Sequence, residues 1–131
     1  DIPSSGLRKL WTAPVQLGYS GPAVAKGRVF VADYMKESGT ITNNPGGRDQ
    51  LQGQEGLVCL DASTGKELWS YHYPRDYALS YPSGPRATPA VDGDRVYFLG
   101  AEGDVVCLST QDGRVLWRHQ LRDEYHATTP I

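Results

Sequence analysis

The side chains that could carry out acid–base or nucleophilic chemistry are widely separated in this sequence. The three histidines are His72, His119 and His126, and they lack the partners of a catalytic triad or a metal cluster. The chain contains no G-x-S-x-G, no H-E-x-x-H and no phosphate-binding glycine loop. The sequence therefore predicts no catalytic residue and no cofactor-binding residue.

One polar stretch, residues 33–55, carries side chains whose oxygen atoms could bind Ca²⁺. These side chains are Asp33, Glu37, Asn43, Asn44, Asp49 and Glu55. Their spacing matches no calcium loop, so a solvated polar loop is the favoured interpretation and no metal site is predicted. The segment Glu102-Gly103-Asp104 is likewise most simply a turn.

Two cysteines, Cys59 and Cys107, stand at equivalent positions of a repeated segment. Neighbouring repeats are offset by a whole unit, which exceeds the roughly 7 Å between Cα atoms that a disulfide tolerates. The favoured interpretation is therefore two buried free thiols. A disulfide or a pair of metal ligands is the alternative.

The two cysteines lie in a repeated segment of the sequence that sets their places in the fold. Residues 56–69 read G-L-V-C-L-D-A-S-T-G-K-E-L-W and return 48 residues later, at 104–117, as D-V-V-C-L-S-T-Q-D-G-R-V-L-W. Each copy has an apolar run, a polar turn ending in glycine, and a second apolar run ending in tryptophan. Glycine permits the positive φ of a tight turn, and the flanking residues suit a pleated sheet. Each copy is predicted to be a β-hairpin.

A second hairpin repeats with a different spacing. Residues 22–31 read P-A-V-A-K-G-R-V-F-V, and residues 89–98, 67 positions later, read P-A-V-D-G-D-R-V-Y-F. The unit is thus four short strands. The two spacings differ by 19 residues, which places an inserted loop at 33–55. A second long connection covers residues 73–86, and antiparallel order brings both connections to one edge of the sheets, the long-loop edge, which is often the binding side of a repeat protein.

Composition excludes some partners. The 131 residues carry a formal charge of −2 and include 15 glycines, which is typical of a turn-rich globular protein. That charge gives no reason to expect nucleic acid or an anionic membrane surface, and no apolar run is long enough to span a membrane. The chain begins at Asp1, so we expect a processed product or an excised segment, and an export signal could have preceded it.

The first repeat copy resembles a known motif. Residues 59–69, C-L-D-A-S-T-G-K-E-L-W, are similar to the tryptophan-docking motif A-x-D-x-x-T-G-x-x-x-W of PQQ-type (pyrroloquinoline quinone) β-propeller repeats, with Cys59 in place of alanine and with Asp61, Gly65 and Trp69 retained. The second copy is looser and keeps Gly113 and Trp117 beside Cys107. The resemblance implies that each indole packs against the glycine of the adjacent motif and joins neighbouring blades.

The resemblance implies an all-β fold, a segment of a propeller built from four-stranded antiparallel blades. We expect a lead-in at residues 1–9 and a partial propeller at 10–131, in which Leu10 and Trp11 end a preceding blade. One complete blade is expected at about 20–71, with the insertion 33–55, a second at about 86–121, and the start of a next blade at 127–131. Because two blades leave their flanks uncovered, the remaining blades are expected downstream on the same polypeptide or on a partner chain.

Tyrosines and arginines are expected to gather on the long-loop edge. The candidate partner-binding residues are Tyr34, Tyr73, Arg75, Tyr77, Tyr81 and Arg86. Such side chains are enriched in binding surfaces and would suit a protein, peptide or glycan. The alternative is that the tyrosines pack the two connections onto the blades.

The favoured function is a non-catalytic scaffold or binding module of an exported or periplasmic bacterial protein, similar to the propeller lipoproteins of outer-membrane assembly. The alternative is part of a PQQ-dependent quinoprotein dehydrogenase, with PQQ and calcium held in other blades. The vicinal cysteine pair of that family is absent here.

Overall fold

The computed structural model describes residues 2–128, which form two antiparallel β-sheets. The first contains β1 (Ala23–Ala25), β2 (Arg28–Ser38), β3 (Asp49–Asp61) and β4 (Glu67–Pro74) in that order, and β5 (Tyr77–Leu79) pairs with β3. The second contains β6 (Ala90–Asp92), β7 (Arg95–Leu99), β8 (Asp104–Ser109) and β9 (Val115–Gln120), followed by the short helix α1 (Leu121–Tyr125). The chain is therefore all-β, with two blades of an open propeller: each has four strands in order, and the first gains a fifth strand, β5.

The alternation of side chains along β2 and β3 explains how the first sheet is buried on both faces. Phe30 and Leu57 point toward the second sheet and pack against Val96 and Phe98. The opposite face carries Val29, Val58 and Leu60, which the N-terminal segment covers. The core thus lies between the two sheets, and a smaller apolar layer lies behind the first one.

The insertion at 33–55 is largely paired strand, which corrects the expectation of a loop. Residues 33–38 of β2 continue to pair with residues 52–56 of β3, with a bulge between Lys36 and Ser38. Only residues 39–48, the hairpin tip, connect the two strands. Residues 49–51 also pair with β5, so the inserted residues gain backbone hydrogen bonds on two sides.

Residues 2–10 are exposed, and no strand forms at residues 10–11, where the end of a preceding blade was expected. The contacts of the N-terminal segment with the first sheet begin at Trp11. A single bridge joins Leu17 to Tyr34, and the amide N–H groups of Tyr19 and Ser20 donate to the Pro85 carbonyl at 2.9 and 3.0 Å. The expected start of a next blade at 127–131 lies outside the described residues from 129 onward. Within residues 2–128, no helix has the length and apolarity needed to cross a membrane.

Candidate functional site

The two sheets present very different connections at the long-loop edge. In the second sheet, residues 100–103 form a tight turn in which the Gly100 N–H donates to the Asp104 carbonyl at 2.8 Å. In the first sheet, the extended β2–β3 hairpin and β5 rise from the corresponding edge. The candidate site is this edge, where the hairpin meets the neighbouring blade.

Glu55 is the centre of a buried hydrogen-bonded cluster at the long-loop edge. Its side chain is fully buried and accepts hydrogen bonds from the Tyr73 hydroxyl at 2.6 Å, the Ala101 N–H at 2.7 Å and the Tyr77 hydroxyl. A Cβ at Gly100 would lie 2.1 Å from the Glu55 carboxylate, so only glycine fits there. Glu55 therefore ties β3, β4 and β5 to the second blade and is not part of a solvated loop.

Burial dominates the electrostatics of this cluster. Desolvation raises the pKa of the Glu55 carboxyl, although its three hydrogen bonds act in the opposite direction. Desolvation, and next the charge of Glu55, raise the pKa of the Tyr73 and Tyr77 hydroxyls. The two phenols remain neutral donors, which suits a structural role.

Three of the predicted partner-binding tyrosines are inside the protein. Tyr34, Tyr73 and Tyr77 have exposed fractions of 0%, 4% and 1%. Tyr34 stacks on Tyr77 with ring centroids 4.0 Å apart, and its hydroxyl donates to the Arg75 carbonyl at 3.0 Å. These tyrosines pack the hairpin onto the sheet, which corrects their expected place on a partner-binding surface and favours the packing alternative.

Arg75, also predicted to bind a partner, lies in an internal ion cluster with Asp104. Asp104 is fully buried, and its Oδ1 accepts from Arg75 Nη2 at 2.9 Å and from Arg118 Nη2 at 2.6 Å. Arg75 Nε is 2.8 Å from Asp104 Oδ2, but outside hydrogen-bonding geometry, so that contact is electrostatic only. The Arg118 guanidinium also lies 3.9 Å above the Tyr73 ring, which links the ion cluster to the Glu55 cluster.

A second acid of the tight turn, Glu102, is also buried rather than solvated. One carboxylate oxygen accepts the Ala78 N–H at 2.9 Å, which satisfies the outer edge of β5, and the other pairs with Arg122 of α1. The residues before Asp104 form the expected turn, but that expectation did not include the burial of the Glu102 and Asp104 carboxylates.

Asp33 and His72 pair across the sheet. Both residues stand beside Gly56 in the strand register, one on each neighbouring strand. Because Gly56 has no side chain, His72 Nε2 reaches Asp33 Oδ1 at 2.7 Å, and Asp33 Oδ2 accepts the Gln16 N–H at 3.0 Å. Asp33 is 2% exposed, which corrects its assignment to a solvated loop.

The exposed part of the edge has two features. At the hairpin tip, the Asp49 carboxylate accepts from the Thr42 N–H at 2.7 Å and the Thr42 hydroxyl at 2.6 Å, and these bonds lower the pKa of Asp49. Farther along, Tyr81 and Arg86 lie beside Tyr19 around a depression of about 480 Å³. Among residues 2–128, no three His, Cys, Asp or Glu side chains are grouped so as to hold a metal ion.

The tryptophans contact the glycines of the following repeat. The Trp69 indole covers Gly113, and its N–H donates to the Thr110 carbonyl at 3.0 Å. Trp11 lies over Gly65 in the same way and donates to the Ala62 carbonyl at 2.9 Å.

The Asp61 carboxylate orders the turn before Gly65 by accepting from the Ser63 N–H and the Thr64 N–H at 2.9 and 3.0 Å. Cys59 and Cys107 are buried and free, and burial raises the pKa of both thiols. Trp117 remains 37% exposed.

Sequence reasoning missed the Glu55 cluster, the Asp104 cluster and Tyr19. The hydrogen-bond partners of Glu55 come from three separate segments of the chain, so no local sequence pattern predicts them. One usable signal was the glycine content of β3, since Gly53 and Gly56 leave room for large side chains from neighbouring strands.

Comparison with known proteins finds similarity to an outer membrane assembly factor and to a quinoprotein dehydrogenase. The family model described as outer membrane protein assembly factor BamB matches residues 4–130. The BamB of Xanthomonas campestris pv. campestris is 28% identical over 93% of this chain, and the quinoprotein ethanol dehydrogenase of Pseudomonas aeruginosa is 36% identical over 51% of it. The matches span 27% and 11% of the length of those two relatives, respectively.

A solved structure, that of BamB from Moraxella catarrhalis, aligns with a TM-score of 0.41 and 18% identity over 80% of this chain and 37% of that one. The family match covers nearly all of the sequence, including both hairpin repeats. The chain therefore belongs to the PQQ-like β-propeller family described as outer membrane protein assembly factor BamB.

Proposed function

We propose that this chain is a non-catalytic part of a propeller scaffold that docks a protein partner at its long-loop edge, over residues 33–55 and 73–86. The observation that carries the proposal is the pair of buried clusters around Glu55 and Asp104. These clusters fix the extended hairpin to the next blade through charged and hydrogen-bonded contacts. A fixed hairpin with an exposed tip is a preorganised docking element, which loses little entropy on binding.

A second part of the proposal concerns the flank of the second blade. Val115, Leu116 and Trp117 of β9 and Leu99 of β7 are 37% to 41% exposed. In the first blade, Trp69 at the position of Trp117 is covered by the following blade. By the same docking, a further blade would cover Trp117, either downstream on the same polypeptide or on a partner chain.

The family supports a protein partner and an exported location. The matching family and the Xanthomonas relative are both described as outer membrane protein assembly factors. We therefore place the proposed scaffold in the periplasm, with a protein as its partner.

A second candidate function is favoured by the similarity to the quinoprotein ethanol dehydrogenase. The described residues fit a quinone site poorly, because the buried carboxylates of Glu55, Asp104 and Glu102 already accept hydrogen bonds or ion pairs from this chain. Under this candidate, PQQ and calcium would be held by other blades, and these two blades would be a structural part of the enzyme.

Site-specific photo-crosslinking in the intact protein tests the scaffold proposal. A photoreactive residue at Asn44 or Arg48 of the hairpin tip is expected to yield a discrete protein adduct in the periplasm. The same residue at Lys66 or Gln111, on the tight-turn edge, is the matched control and should yield none. Equal adducts from both edges would contradict docking at the long-loop edge, and quinone absorbance in the purified native protein would favour the enzyme.

A further inference from the structure

One exposed group of side chains is unused by the packing described above. It consists of Tyr19, Tyr81 and Arg86, here called the tyrosine–arginine patch, which lines the depression of about 480 Å³. Tyr19 and Tyr81 are 52% and 39% exposed, in contrast to the three buried tyrosines of the same edge. The Arg86 guanidinium lies 5.7 Å from the centre of the Tyr19 ring.

Tyr81 combines a strained backbone with an exposed ring. Tyr81 has a φ of +55° and is followed by Pro82. A non-glycine residue rarely adopts this left-handed conformation, and a following proline restricts its backbone further. Arg86 Nη2 holds the conformation by donating to the Ser80 and Tyr81 carbonyls at 3.1 and 2.9 Å. Strain that is held in place in this way is a recurrent feature of ligand-binding positions.

A second segment of the chain fixes the other half of the patch. The amide N–H groups of Tyr19 and Ser20 donate to the Pro85 carbonyl at 2.9 and 3.0 Å. Tyr19 is therefore joined to the connection that carries Tyr81 and Arg86. Hydrogen bonds between two segments of the chain therefore hold the three exposed side chains together as one surface.

The charge of the patch indicates the ligand. Within residues 2–128, no carboxylate lies within ion-pair distance of Arg86, and its contacts are with the neutral Ser80 and Tyr81 carbonyls and the Tyr19 ring. Two tyrosine rings beside an uncompensated guanidinium favour an apolar group next to a carboxylate. A glycan would need several hydrogen-bonding side chains around its hydroxyls, and among residues 2–128 the lining consists of these three residues.

We propose that the tyrosine–arginine patch binds an extended acidic peptide segment of a partner protein, with a proline or aliphatic residue between the tyrosines and an adjacent carboxylate on Arg86. Aromatic grooves bind such extended segments because proline-rich chains lose little entropy on docking. This inference deepens the proposed docking function and rests on it.

The test is selection of a random 12-residue peptide library, displayed on phage, against the intact protein. Enriched sequences are expected to carry Asp or Glu next to proline or an aliphatic residue. In fluorescence anisotropy, the best peptide should lose about tenfold or more in affinity with Tyr81→Ala or Arg86→Gln. Tyr19→Ala should weaken binding as well, and it leaves the hydrogen bonds of Arg86 to the 80–81 backbone in place.

Two matched variants at other exposed positions serve as controls. Tyr125→Ala removes a tyrosine that is 67% exposed on α1, and Arg114→Gln removes an exposed arginine on the tight-turn edge. Neither should change the peptide affinity.

The proposal is overturned if enriched peptides lack acidic residues, if none depends on the three patch residues, or if a glucose or chitin oligosaccharide binds the patch and the acidic peptides do not. If the hairpin-tip adducts at Asn44 persist in Tyr81→Ala while no patch-dependent peptide is found, the docking function stands and this inference fails.

Discussion

The indole of Trp69 rests on the backbone of Gly113 in the following blade, so closely that a Cβ at position 113 would lie 2.5 Å from Trp69 Cε3. Gly113 also has a φ of +73°, which disfavours any other residue. Gly113 is thus required for two separate reasons. It adopts the positive φ of the turn, and it leaves room for the indole of the preceding blade. Substitutions can separate the two.

Gly113→Ala should destabilise the protein by about 3 kcal/mol, from roughly 1 kcal/mol of backbone strain and about 2 kcal/mol of steric overlap with Trp69. Gly93→Ala is the matched control, because Gly93 has a φ of +60° with no atom within 4 Å of an added Cβ. It should cost only the strain, about 1 kcal/mol. Urea unfolding of both variants measures the difference, and equal losses would show that the Trp69 contact adds nothing.

Glu55 should make stability depend on pH. Because burial raises the pKa of its carboxyl above that of the unfolded chain, the folded state binds this proton more tightly. The contribution of Glu55 is therefore complete at low pH, below the unfolded pKa, and declines as pH rises toward the folded pKa. The free energy of unfolding of the wild type relative to Glu55→Gln should therefore fall as pH rises above the ordinary carboxyl pKa of about 4.3.

Chemical denaturation at several pH values measures that difference. If the free energy of unfolding of the wild type relative to Glu55→Gln rises with pH instead, the three hydrogen bonds lower the pKa of Glu55 by more than burial raises it. Glu55→Ala is the companion variant. It leaves two tyrosine hydroxyls and the Ala101 N–H without an acceptor and should cost about 3 kcal/mol or more at every pH.

The fold was largely predictable from the sequence, whereas the polar clusters were not. The repeats ending in Trp69 and Trp117 predicted the all-β fold because strand periodicity and turn glycines are local properties. The pairing of residues 33–38 with 52–56 was missed because the polar side chains there hide the alternation. The surroundings of Glu55 depend on residues from β4, β5 and the second blade, which only the folded arrangement brings together.

The Asp104 ion cluster should contribute measurably to stability. Asp104→Asn removes the charge that compensates two partly buried guanidiniums and is expected to cost about 2 kcal/mol. Arg118→Gln should cost less, because Arg75 remains paired. A double-mutant cycle of the two substitutions should give a coupling energy of about 1 kcal/mol.

The matched control is the exposed pair of Asp94 and Arg95, whose side chains are 4.0 Å apart and 94% and 56% exposed. Its cycle of Asp94→Asn and Arg95→Gln should give no measurable coupling, because water and salt screen the charges. If the coupling energy between Asp104 and Arg118 is as small as that between Asp94 and Arg95, the buried cluster has no structural role.

The order of the hairpin tip should depend on Asp49. Its carboxylate accepts hydrogen bonds from the Thr42 N–H, the Thr42 hydroxyl and, at 3.4 Å, the Asn43 N–H, which closes the exposed loop between residues 42 and 49. Asp49→Ala removes all three bonds, so the tip should be cleaved faster in limited proteolysis while the urea midpoint changes little. Asp94→Ala, at an exposed turn on the opposite edge, should leave the cleavage rate unchanged. If the tip of Asp49→Ala is cleaved at the wild-type rate, these hydrogen bonds do not order it, and the preorganised tip on which the docking proposal depends loses its physical basis.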